Sequence, residues 1–198
     1  MACGPWTMHR VSRASQVRFS IKIAIIVIAS SGGFSWAAGQ RPCENPVYLT
    51  LDTGHMAVAP LMADVLKRND VRVTFFAANE RTQEGDGSLG QYWAPWWKAR
   101  AAEGHEFASH TYDHVYWRAD LPGMAPAFRV RPSAGALAGR EFTWSAEQYC
   151  TQLKLANERL QDHTGQAALP LFRAPGGKTS ARLLAAAKSC GFAHVGWA

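Results

Sequence analysis

Residues 47–76 read VYLTLDTGHMAVAPLMADVLKRNDVRVTFF, and the succession of patterns within them decides the fold. Val47-Tyr48-Leu49-Thr50-Leu51 is an apolar run of the length of a buried strand. From Ala57 to Arg68 the apolar residues recur near i, i+3 and i+4, the spacing of one helix face. Val71 to Phe76 is again β-branched and aromatic, a second strand. Strand, helix and strand in one stretch make a unit whose two strands run parallel, joined by a right-handed crossover.

The alternation continues downstream. Arg81 to Gly90 is a Gly-rich polar loop, and Tyr92 to Glu103 is a Trp-rich helix ended by Gly104. His105 to Ser109 is a third strand. Arg118 to Phe142, with Pro122, Pro126 and Pro132, reads as a surface insertion. Ser145-Ala146-Glu147-Gln148 has the capping-box pattern and opens a helix that runs to about His163 and stops at Gly165. Leu169 to Phe172 is a short strand, Ser180 to Cys190 a helix closed by Gly191, and Phe192 to Trp197 the start of a last strand. The whole predicts an α/β fold, a parallel sheet or barrel with helices outside it.

The first 38 residues read differently. Arg10, Arg13, Arg18 and Lys22 lead without an acidic residue, Ile23 to Ala29 is apolar but too short to span a bilayer stably, and Ser35-Trp36-Ala37 fits a small-x-small cleavage site. This is the order of a secretory signal peptide, with a retained anchor as the alternative. Either places the domain, residues 39–198, in the periplasm or outside the cell; cleavage of the signal peptide leaves no stable membrane span. The chain carries +6, and the leader holds four bases and no acid, so the remainder is near +2. A near-neutral surface gives no nucleic-acid footprint. Of the four cysteines, Cys3 leaves with the leader; Cys43, Cys150 and Cys190 allow at most one disulfide, of structural rather than redox character.

In parallel α/β folds chemistry gathers where strands end. Asp52 follows the first strand in Thr50-Leu51-Asp52-Thr53-Gly54-His55, with Gly54 permitting a sharp turn. His110 and His114 follow the third strand, and their i, i+4 spacing predicts both imidazoles on one side of a helical turn, as a metal site requires. Arg173 follows a later strand in Phe172-Arg173-Ala174-Pro175-Gly176-Gly177. Each alone has a plain structural reading, as helix cap, solvated pair or ion pair; three motifs from separate strands on one rim is the stronger signal. Gly177-Lys178-Thr179 imitates a phosphate-binding loop, but Phe172 stands where its first glycine belongs. Trp117 is the best sugar-stacking candidate, whereas Trp96 and Trp97 suit a core.

These residues resemble the polysaccharide deacetylase family, carbohydrate esterase family four. Its Thr-Phe-Asp-Asp-Gly, His-Ser/Thr-x-x-His and Arg-x-Pro motifs meet Thr50-Leu51-Asp52-Thr53-Gly54, His110-Thr111-Tyr112-Asp113-His114 and Arg173-Ala174-Pro175. The resemblance implies an incomplete (β/α) barrel that removes N-acetyl groups from an amino-sugar polysaccharide. It implies a divalent metal, zinc before cobalt or manganese, on His110 and His114, with Asp52 as general base, Arg173 as its orienting partner, and Pro175 and Gly176 beside the substrate. Two departures stand out. The family's metal-binding aspartate falls at Thr53, which makes Thr53 and His55 candidates for a substitute or supporting role. The family's later Leu-x-His acid has no counterpart before the chain ends, and His194 is a poor substitute; this reads as a truncation. The alternative is an inactive glycan-binding pseudoenzyme or a non-functional fragment.

Overall fold

A computed structural model of the chain describes residues 47–197. The leader, its cleavage site and Cys43 lie outside the described residues. Five short strands, β1 (Thr50–Asp52), β2 (Thr74–Ala77), β3 (Glu106–Ser109), β7 (Leu171–Phe172) and β8 (Ala193–His194), form one parallel sheet in the order β1-β2-β3-β7-β8. Among the described residues the sheet does not close into a barrel. The first and last expected strands are shorter than their sequence patterns: β1 begins at Thr50, with Val47, Tyr48 and Leu49 exposed before it, and β8 ends at His194.

Helices α1 (Ala59–Arg68), α2 (Ala94–Ala102), α3 (Ala146–Thr164) and α4 (Ala181–Ser189) connect the strands. The capping box of α3 is present as written in the sequence: Ser145 accepts from the Gln148 N–H, Gln148 reaches back to the Ser145 N–H, and Gly165 ends the helix at φ 75°. Such a cap contributes about 1 kcal/mol. The left-handed residue after β1 is Met56 at φ 61°, so the turn there does not depend on Gly54.

Two departures from the sequence expectation bear on function. Residues 110–114 are not a helical turn: Thr111 and His114 adopt positive φ, 60° and 48°. The insertion is ordered rather than irregular, a three-stranded antiparallel sheet of β4 (Val115–Asp120), β5 (Ala127–Pro132) and β6 (Phe142–Ser145).

One core cluster lies around Phe75, which meets Trp96, Trp97 and His105 edge-on, with Phe107 beside it. Trp97 is fully buried and donates its indole N–H to Ser88 O at 2.7 Å, a core role. The second cluster packs Val115, Phe128 and Val130 of the insertion onto Tyr149, Leu153 and Leu183 of α3 and α4. A disulfide joins Cys150 to Cys190 and closes a loop of 40 residues between these helices. Cys150→Ser/Cys190→Ser is expected to lose about 3 kcal/mol of unfolding free energy, measured by urea denaturation; a loss below about 1 kcal/mol would show that packing alone holds α4.

His105, 3% exposed, accepts the Val73 N–H on Nδ1 at 3.1 Å, a bond only the unprotonated nitrogen can make. Burial pushes its pKa below the usual histidine range, against the pull of Glu103. The unfolded chain therefore binds the proton more readily, and stability is lost as pH falls below about 6.5. Thermal unfolding should shift down between pH 7.5 and 5.5, and His105→Gln should flatten that slope. An unchanged slope removes His105 from the cause.

Candidate active site

The strands end in register, and each hands a side chain to one rim. Asp52 closes β1, His110 follows Ser109 of β3, Arg173 follows Phe172 of β7, and Trp197 lies three residues beyond β8. Arg173 is the hub. Its Nη1 donates to Asp52 Oδ1 at 2.8 Å, its Nη2 to Thr50 Oγ1 at 2.7 Å, and its Nε to Val195 O at 3.2 Å. The guanidinium carbon lies 4.3 Å over the Phe76 ring and 5.6 Å from Trp197. With a side chain only 3% exposed, Arg173 balances the charge of Asp52 out of reach of bulk solvent, whereas the carboxylate itself remains 21% exposed.

The second carboxylate oxygen faces the histidines. Asp52 Oδ2 is 3.9 Å from His110 Nε2 and accepts the Trp197 indole N–H at 3.2 Å. The His110 and His114 rings stand edge to face, with centroids 4.9 Å apart. The left-handed backbone at Thr111 and His114 brings them together.

A hydrogen bond to a carbonyl assigns the His110 tautomer. His110 Nδ1 lies 2.9 Å from Arg173 O, and a carbonyl only accepts, so Nδ1 carries the proton and Nε2 is bare. Ser133 Oγ meets both His114 O, at 3.2 Å, and His114 Nδ1; with its proton on the carbonyl, its oxygen accepts from Nδ1–H, the tautomer that leaves Nε2 bare. Burial pushes His110 below the usual histidine range, with Asp52 opposing. Burial, then the neighbouring His110, push His114 down to about 4. Both rings are neutral near pH 7, the form that ligates a metal.

These residues fit a divalent cation in part. Two donors on one tetrahedral ion at about 2.0–2.1 Å stand roughly 3.4 Å apart, so Asp52 Oδ2 and His110 Nε2, 3.9 Å apart, lie wider than a closed site. No three His, Cys, Asp or Glu side chains among the described residues form a ready cluster. Thr53 is engaged elsewhere: its Oγ1 accepts the Ala78 N–H at 2.9 Å. His55 is exposed, and its Nδ1 accepts the Ala57 N–H at 3.3 Å, a turn-forming role. Trp117 faces the core beneath the insertion and donates to Asp120 Oδ1 at 3.1 Å. Strand alternation instead sends Tyr116 to the rim, 5.0 Å from the His114 ring. Pro175 is buried; Gly176 is exposed at φ 67°, and a Cβ there would lie 2.8 Å from Tyr116 Cε1.

Besides Tyr116, the sequence reading missed two residues of this rim. Trp197 is 55% exposed above Arg173, and its ring occupies the space that a Cβ at Gly177 would need. Glu80, just past β2, has a buried Oε2 with no hydrogen-bond partner. Burial pushes its carboxyl up, a bond from the Thr53 hydroxyl opposes this, and the charge of Asp52 adds to it. The strand-end rule, applied to β2, would have singled out Glu80.

The sequence profile of the polysaccharide deacetylase family matches residues 39–195. The chain belongs to this family. Among relatives, a chitooligosaccharide deacetylase of Azorhizobium caulinodans is 24% identical over 155 residues, covering 78% of this chain and 59% of the relative. A chitin deacetylase of Colletotrichum lindemuthianum is 34% identical over 95 residues, 44% of this chain and 34% of the relative. A family 4 carbohydrate esterase from Streptomyces lividans, solved with acetate, superposes with a TM-score of 0.52 at 22% identity, covering 79% of this chain and 65% of that one, which establishes the shared fold. The chain spans between 34% and 59% of the length of the curated relatives it matches. No helix among the described residues is long and apolar enough to cross a membrane.

Proposed function

We propose that this chain hydrolyses N-acetyl groups of an amino-sugar polysaccharide outside the cytoplasm, with Asp52 as general base, Arg173 as its positioning partner, and His110 and His114 as the hold for a divalent metal, zinc before cobalt or manganese. The observation that carries the reading is the Asp52 carboxylate, gripped at Oδ1 by Arg173 and presenting Oδ2 3.9 Å from a bare imidazole nitrogen. The Cys150–Cys190 disulfide supports an oxidising compartment. The relatives named as chitin and chitooligosaccharide deacetylases support the substrate class.

A metal held there would supply Lewis acidity at the acetamide carbonyl and lower the pKa of water beside it. The rest falls to the chain. Asp52 Oδ2 accepts a proton from the water whose oxygen adds to the carbonyl carbon. The C–N bond then breaks, and Asp52, now protonated, returns that proton to the departing nitrogen. The products are acetate and a free amine on the sugar. Arg173 keeps the carboxylate from rotating, so the same oxygen serves both transfers.

Acetate release from N-acetylated chito-oligosaccharide, lost on chelation and restored by zinc, is the expected result. His110→Ala/His114→Ala should lose bound zinc, whereas His55→Ala should keep it, by metal analysis of the purified proteins. A folded, zinc-loaded protein that releases no acetate from any N-acetylated glycan would overturn the reading.

A further inference from the structure

The insertion sheet has two faces of opposite character. Val115, Phe128, Val130 and Trp144 turn inward and are buried. Alternation sends Tyr116, Arg129, Arg131 and Thr143 to the other face. Arg118, at the bulge of β4, joins them and reaches across to Glu141 at 3.7 Å. Glu141 is therefore taken. Arg129 and Arg131 are exposed same-face neighbours on β5, and neither has an acidic partner among the described residues. Arg131 Nε donates to Gly139 O at 3.1 Å, which steadies the guanidinium and leaves its outer N–H groups free.

This face is continuous with the active site. Tyr116 is the cross-strand partner of Arg131, and its ring borders both His114 and Gly176. Ser133, two residues beyond Arg131, holds His114 Nδ1. One segment thus carries the arginine pair and the group that orients an active-site imidazole. From His114 this face runs over Tyr116 to Arg131 and then to Arg129.

We propose that this face selects the substrate: an N-acetylated glycan bearing carboxylates on sugars next to the one deacetylated, with Arg129 and Arg131 as the carboxylate readers. The inference rests on the glycan-hydrolase reading of the site. Guanidinium groups pair with carboxylates through two parallel N–H···O bonds, which gives direction as well as charge. Outside the leader the chain is near neutral, so two unpaired arginines beside the site are a local feature rather than part of a general basic surface.

Binding is measured by calorimetry on Asp52→Asn protein, where the mutation is meant to stop turnover. The probes are a hyaluronan hexasaccharide, in which N-acetylglucosamine alternates with glucuronate, and neutral chitohexaose. The acidic oligomer is expected to bind about tenfold tighter at low salt, the order for two exposed charge-assisted contacts, and the preference should shrink in 0.5 M salt, where screening is about 4–5 Å (interpolated from about 10 Å at 0.1 M and 3 Å at 1 M). Arg129→Gln/Arg131→Gln should bring the affinity ratio of the two oligomers to near one. Because Arg131 also supports Gly139, Arg129→Gln alone is tested and should lower the ratio several-fold in a protein whose circular dichroism is unchanged. A ratio of one in the parent, or a ratio unaffected by Arg129→Gln, overturns the proposal, as does a single-stranded DNA hexamer that binds as tightly as hyaluronan. The binding ratio needs no catalysis, so a protein that prefers hyaluronan yet releases no acetate would fail the hydrolase reading and keep only Arg129 and Arg131 as carboxylate readers.

Discussion

Asp52→Asn is expected to lower kcat for acetate release by about 10³-fold while substrate affinity stays within a few-fold, the loss typical of removing a general base. Asparagine keeps the shape of the side chain, and its amide oxygen still accepts from Arg173 Nη1, so the contact with Arg173 is kept. It lacks the basic oxygen that faces His110, and with it the acceptor of the Trp197 indole N–H. Steady-state acetate release, with circular dichroism as the folding control, measures this. Activity within tenfold of the parent would remove Asp52 from the chemistry, and with it the central role of the Asp52–Arg173 pair.

Arg173→Met is expected to lower both activity and stability, by about 10²-fold in kcat and about 3 kcal/mol in unfolding free energy. Methionine fills much of the volume, but Asp52 Oδ1, Thr50 Oγ1 and Val195 O lose their donor together. The stability figure is set at the low end for a broken buried pair because Asp52 is 21% exposed and partly solvated. Much of the loss is an acid left without its partner, so the two substitutions should not add. Arg173→Met/Asp52→Asn should be more stable than Arg173→Met alone, by urea denaturation. Equal stabilities would show that Arg173 acts through its packing on Phe76 and Trp197 rather than through Asp52.

What could be read in advance depended on how local its cause was. The ends of α3 follow from Ser145, Gln148 and Gly165, which satisfy the helix's own terminal groups. Asp52, His110 and Arg173 could be set on one rim because strands that alternate with helices run parallel and end on the same side. The His110–His114 spacing suggested a helix, but the positive φ of Thr111 and His114 is imposed by surrounding contacts, among them Asn79 N–H to Tyr112 O at 2.6 Å and Tyr112 N–H to Gln152 O at 3.0 Å. The alternation Phe128-Arg129-Val130-Arg131 was a strand signal obscured by the prolines and glycines around it.

By itself, the sequence determined the class of fold, the helix boundaries and the identity of the residues at the strand ends, since these follow from period, capping and connectivity among near neighbours. Only the tertiary structure decided which imidazole nitrogens are bare, that Thr53 is bound to Ala78, that Glu80 and Trp197 join the rim, and that Tyr116 rather than Trp117 borders it. Those outcomes turn on single hydrogen bonds between atoms as far apart in the chain as Asp52 and Arg173, 121 residues, and the register that joins such atoms is a property of packed strands rather than of any local stretch.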